Sequence, residues 1–159
     1  MSYSPARIQN YQTLADTTVT YEVVSTTIEE YPGTEIDYTP ATGAESVVYS
    51  VNFGVINNPD NATCFLNTRL QESTNNGASW SDLDGCKLFE GTTGPYADWD
   101  NISFSYCFII PAWSGSRKLR IAGRSKDSAS EYSVSRCLVS MAWQNTSPFV
   151  SVYSLMKAE

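Results

Sequence analysis

The sequence predicts an all-β fold, an antiparallel β-sandwich or barrel preceded by a short N-terminal arm. Three observations carry this expectation. Apolar residues recur with a period of two in several separate runs, turn-forming clusters interrupt the chain at short intervals, and no window of comparable length holds a 3.6-residue apolar stripe. With 159 residues, the chain has the size of one domain able to bury a substantial core without covalent staples.

Residues 1–16 carry no strand pattern and read as an arm or docking segment, leaving 17–159 as the sandwich domain. The first strand-like stretch is 17–24. In 47–55 the residues Val47, Tyr49, Val51, Phe53 and Val55 alternate with smaller or polar neighbours. Cys64, Leu66, Thr68 and Leu70 repeat the pattern, and so do Ile102, Phe104, Tyr106, Phe108 and Ile110. Shorter runs at 85–90, 117–123, 130–143 and 149–156 are rich in Val, Tyr, Ile and Thr. The apolar phase changes near Leu138, which fits a bulge or a strand buried on both faces. Turns fall at Pro32-Gly33, Pro40 to Gly43, Asn57 to Pro59, Asn76-Gly77, Gly91 to Pro95, Pro111 and Ser114-Gly115. The count is eight or nine short strands.

Composition narrows the function. The chain holds 17 acidic and 10 basic residues, a net charge of −7, and no histidine. A net negative chain is a poor ligand for nucleic acid or an anionic membrane. The missing histidine removes Ser-His-Asp and Cys-His catalysis and histidine metal sites. No metal or cofactor site is expected, and the residues point away from an enzyme. The N-terminus lacks the basic start and apolar core of a secretory signal, and no apolar run approaches the roughly 20 residues of a membrane helix. Cytoplasmic synthesis is therefore expected. Cys64, Cys86, Cys107 and Cys137 form no Cys-x-x-Cys pair, so buried reduced thiols are the default, with a Cys64–Cys86 bridge across one hairpin open.

Charge is unevenly distributed. Residues 1–60 hold eight acids against Arg7 alone, whereas 61–159 are neutral overall. Five of the ten bases lie between Arg117 and Lys126. Glu29, Glu30, Glu35 and Asp37 on one side, and Arg117, Lys118, Arg120 and Arg124 on the other, make complementary patches suited to subunit contact. Either patch alone reads as solvated surface.

Four further features bear on chemistry. Ser73-Thr-Asn75-Asn-Gly77-Ala-Ser-Trp80 resembles the Asp-box hairpin, with Asn in place of Asp. In such a hairpin Asn75 folds back onto the turn, Gly77 supplies a positive φ and Trp80 covers the base. Asp82 with Asp84, and Asp98 with Asp100, are carboxylate pairs that a glycosidase would need to oppose across a cleft, but in turn-like stretches they read as turn formers. Tyr96, Trp99 and Trp113 place aromatic rings in loops, where they either stack on sugars, anchor an interface or plug the end of the sandwich. The basic stretch 117–126 has no interleaved aromatics and is a weak nucleic-acid signal.

The layout of "GAESVVYSVNFGV", then "TRLQESTNNGASWSDL", then "FSYCFIIPAWSGSRKLRIAGRS" resembles the jelly-roll modules of tailed-bacteriophage virions. These are similar to the trimeric tumour-necrosis-factor/C1q-like heads of capsid decoration (cement) proteins and of fibre or spike tips. The resemblance implies a non-enzymatic virion protein without cofactor, a homotrimer made in the host cytoplasm and seated on the major capsid protein or another virion protein. It also implies that residues 1–16 dock onto the shell or fibre. The alternative reading is a receptor- or carbohydrate-binding tip that uses Tyr96, Trp99 and Trp113.

Overall fold

The computed structural model describes residues 7–15, 22–23, 27–31, 33–57, 64–93, 101–125, 137–139 and 149–157. Every regular element among them is a β-strand. In chain order these are β1 (Ile8–Ala15), β2 (Glu22–Val23), β3 (Glu29–Glu30), β4 (Ile36–Tyr38), β5 (Ala44–Asn57), β6 (Cys64–Ser73), β7 (Ser81–Thr93), β8 (Asn101–Pro111), β9 (Arg117–Ser125), β10 (Cys137–Val139) and β11 (Phe149–Met156).

The strands form two antiparallel sheets. In the first, β1, β11 and β5 are successive neighbours and β8 pairs with the other side of β5. Beyond the end of β11, Ile56 and Asn57 of β5 pair with β10, which in turn pairs with β2. In the second sheet β9 sits between β6 and the short strands β3 and β4, and β7 pairs with the far side of β6. The chain passes from β4 to β5, back to β6 and β7, across to β8, and back again to β9. Such interleaving makes a jelly roll.

The alternation predicts the burial where side chains are described. Val47, Tyr49 and Val51 of β5 are buried, as are Thr68 and Leu70 of β6, and Ile110 of β8. They meet Leu119 and Ile121 of β9 and Val150 and Val152 of β11 in one core between the sheets. Three tyrosines extend into this core, and each hydroxyl has a partner, as buried polar groups require. Tyr31 bonds Thr68 Oγ1 at 2.8 Å, Tyr38 bonds Ser154 Oγ at 2.7 Å, and Tyr49 donates to the Thr34 carbonyl at 2.7 Å. Burial raises the pKa of all three phenols, with the hydrogen bonds acting more weakly in the opposite sense.

Four expectations are corrected. Residues 8–15, expected to form no strand, are β1, hydrogen-bonded along β11. The pattern is weak there because β1 is an edge strand with Leu14 packed against the core and the rest largely exposed. The strands number eleven among the described residues rather than eight or nine, the additions being β1 and the short edge pieces β3 and β4. A Cys64–Cys86 bridge is excluded by register. Cys64 lies opposite Thr93, so Cys86 is displaced by about 20 Å along the hairpin at ~3.3 Å per residue, far beyond a disulfide's reach. Finally, Cys107 is an exposed free thiol, because it points outward from β8 opposite Ser50. The phase change at Leu138 falls where only 137–139 are described, with Leu138 paired to both Ile56 and Val23.

Candidate interaction surfaces

The outer face of the second sheet carries most of the charged residues singled out above. On β9, core-facing Leu119 and Ile121 alternate with outward Lys118 and Arg120. On β6 the outward set is Asn67, Arg69, Gln71 and Ser73, fixed by the pairs Asn67–Arg124, Gln71–Arg120 and Ser73–Lys118. Side chains thus line up across strands, where opposite charges support each other.

The result is a row that spans four strands. Arg120 donates to Glu30 at 3.2 Å and through Nε to Gln71 at 3.1 Å. Gln71 passes the chain on to Asp82 at 2.9 Å, and Asp82 is ion-paired with Arg69, which also donates to Asn67 at 2.7 Å. A second cluster joins Lys118 to Glu35 at 2.5 Å and to Asp37 at 3.4 Å. The Glu35 hydrogen bond is the main reason the Lys118 ammonium holds its proton more tightly than usual. Arg117 donates to Glu72 at 2.7 Å. Two guanidiniums also lie over indole rings: Arg120 at 3.9 Å from the Trp80 centroid and Arg117 at 5.1 Å from that of Trp113.

The complementary patches therefore meet, but within one chain. Glu30, Glu35 and Asp37 on the N-terminal strands and loops face Lys118 and Arg120 because β3 and β4 pair with β9. Glu29 is exposed and accepts from Thr27, and Arg124 is exposed at the far end of β9. Sequence reasoning missed Arg69 and Gln71 in the middle of the row and Glu72 beside it, and it gave Asp82 and Trp80 other roles. The period-two spacing of Asn67, Arg69 and Gln71 was the available signal.

The aromatic loop candidates separate. Tyr96 and Trp99 lie outside the described residues. Trp113 is half-buried and packs on the core, edge-on to Tyr38 with ring centroids 6.2 Å apart. That is the end-plug arrangement. Of the carboxylate pairs, Asp82 is engaged by Arg69 and Gln71, while Asp98 and Asp100 lie outside the described residues, as does the side chain of Asp84. Among the described residues no group of three or more His, Cys, Asp or Glu could hold a metal ion.

The Asp-box-like hairpin forms as its residues dictate. Asn76 and Gly77 have φ of 58° and 87°. Ser73 Oγ accepts from Gly77 N at 2.9 Å, and Asn75 Oδ1 accepts from Ser79 N at 2.9 Å.

The outer face of the first sheet is different in kind. Across β1, β5, β8 and β11 the single charged residue is Glu45. Large apolar side chains stand out of it: Ile109 is 66% exposed, Tyr11 57%, Ile8 56% and Phe149 39%. Tyr11 stacks on Tyr153 with ring centroids 6.1 Å apart. Val48, flanked in register by Ile109 and Tyr153, is buried on this outer side.

No protein-family model matches the chain, and no curated protein matches it. Among solved structures the chain is similar in fold to one in the structure of the infectious bursal disease virus Gx strain, with a TM-score of 0.51 and 11% identity over 96% of this chain and 34% of that one. A chain of the Gt strain gives a TM-score of 0.39 and 11% identity over 99% of this chain and 39% of that one. The chain thus spans little more than a third of the length of these viral chains, and the likeness is one of fold.

Proposed function

We propose that this chain is a non-enzymatic structural protein of a virion, working by assembly. In the finer form it is a capsid decoration protein that trimerises on the viral shell, with residues 1–16, β1 among them, contacting the major capsid protein or another virion protein. The observation that carries this reading is the jelly-roll likeness to a virus protein over nearly the whole chain. The surface chemistry agrees with it. The charged row on the second sheet is spent on holding strands together, and the first sheet offers an uncharged, partly apolar face of the kind that packs against other protein.

The test is co-sedimentation of the purified chain with particles of the virus that encodes it, combined with light scattering of the free chain. Saturable binding at a copy number set by shell symmetry, from a free state built of trimers, whether one trimer or two joined, is the expected result. Absence from purified particles together with no binding to them would remove the virion reading. The fibre-tip alternative predicts glycan-dependent quenching of tryptophan fluorescence, and no described observation favours it.

A further inference from the structure

Among the described residues, every sheet edge but one is protected against pairing with another chain. Short, charged or bulged edges discourage such pairing, whereas a long regular uncharged edge is a template for it. β2, β3 and β4 are two or three residues long and contain Glu22, Glu29, Glu30 and Asp37. β7 carries Asp82, Asp84, Lys87 and Glu90, and its pairing with β6 breaks register twice. β1 is interrupted by a register shift between Gln9 and Gln12, where Asn10 adopts φ 51°.

β8 has none of these devices. It runs for 11 residues, Asn-Ile-Ser-Phe-Ser-Tyr-Cys-Phe-Ile-Ile-Pro, without a charge and with its proline last. It pairs with β5 without a break from Asn101 to Pro111 and, among the described residues, with no other strand. Its outer face presents Ser105, Cys107 and Ile109, all exposed.

We propose that β8 is a docking edge for β8 of a second copy, joining the two first sheets into one continuous antiparallel sheet. A twofold axis sets β8 against itself in the antiparallel sense, so one strand supplies both partners. Charge points to the same occupant. The chain carries −7 overall, and this uncharged edge lets two such chains meet without bringing like charges together. It gives a charged partner nothing to grip. With the twofold near Cys107, Ser105 of each copy faces Ile109 of the other, and the two outer apolar faces become one. This pairing is a separate contact from a trimer interface and stands whether or not the chain sits on a virion.

Sedimentation equilibrium and amide hydrogen exchange on the full chain test it. The wild type is expected at an even multiple of 17.6 kDa, with the amides of 103–109 protected more strongly as concentration rises. Ser105→Lys and Ile109→Lys place charges on an exposed face, so the fold survives, and each weakens the association by about tenfold or more. Both variants should then sediment at half the wild-type mass, with unchanged circular dichroism. Thr74→Lys, on the exposed turn between β6 and β7, should leave the mass unchanged. A wild type at one or three times 17.6 kDa, or an assembly indifferent to both β8 lysines, overturns the proposal. The virion reading is decided separately by particle binding.

Discussion

Gly123 lies where β9 passes beneath the ring of Tyr31, and the absence of a side chain there is a packing requirement. A Cβ at this position would overlap Tyr31 Oη and lie 2.7 Å from the Asn67 carbonyl oxygen. Tyr31 cannot give way, because its hydroxyl is tied to Thr68 and its backbone N–H donates to Ile121 at 2.9 Å. Gly123→Ala is expected to cost about 3 kcal/mol, the upper range for an overpacked core. Tyr31→Phe removes only the hydroxyl and should cost about 1 kcal/mol. Urea midpoints separate the two. Equal costs would show that the hydrogen bond, rather than crowding, is what the site protects. Thr34 has a comparable role: its hydroxyl bonds the carbonyl of Tyr31 and accepts from Ile121 N, which joins the loop before β4 to β9.

Among elements, the β6–β7 hairpin shows how far a local motif specifies structure. Asn75 Oδ1 accepts from both Ser73 Oγ and Ser79 N, each at 2.9 Å, and Asn75 Nδ2 donates to Ser79 Oγ at 2.7 Å. Asn75→Ala leaves the Ser79 amide without its acceptor and should lower stability by about 1 kcal/mol. Asn75→Asp keeps the accepting oxygens and lets the Ser79 hydroxyl donate instead, so it should be close to neutral. Thermal melting of the two variants checks this, and a large loss on Asn75→Asp would mean that the amide donor holds the turn. β1 is the opposite case. Its residues hardly alternate, and only pairing with β11 makes them a strand.

For the whole molecule, the core chemistry sets the response to pH. Tyr31, Tyr38 and Tyr49 have pKa values raised by burial above the ordinary phenol value near 10. The folded state therefore holds these protons more tightly than the unfolded chain. That contribution is fully present below about pH 10 and is lost as pH rises further toward the folded values. Stability should fall above about pH 10, with tyrosinate absorbance appearing together with unfolding. Early ionisation of all ten tyrosines in a still-folded chain would contradict it. The two sheets divide the remaining labour. Among the described residues, one outer face pairs most of its charges within the chain, and the other carries almost no charge and ends at the edge strand β8.

The period-two pattern by itself determined the all-β class and the inward residues Val47, Tyr49 and Val51, and the turn motif determined the hairpin at Asn75 to Trp80. These follow from local stereochemistry, which a short window contains. It did not determine which strands become neighbours. The Glu30–Arg120 pair joins residues 90 apart in sequence, and the spacing of charges shows that two patches exist but not that β3 folds against β9. Register excluded the Cys64–Cys86 bridge, and the strand order of the described residues made β8 an edge, although its sequence matches that of a strand buried between neighbours. Pairing and register are settled by closing long loops around a shared core, so only the tertiary structure decided them.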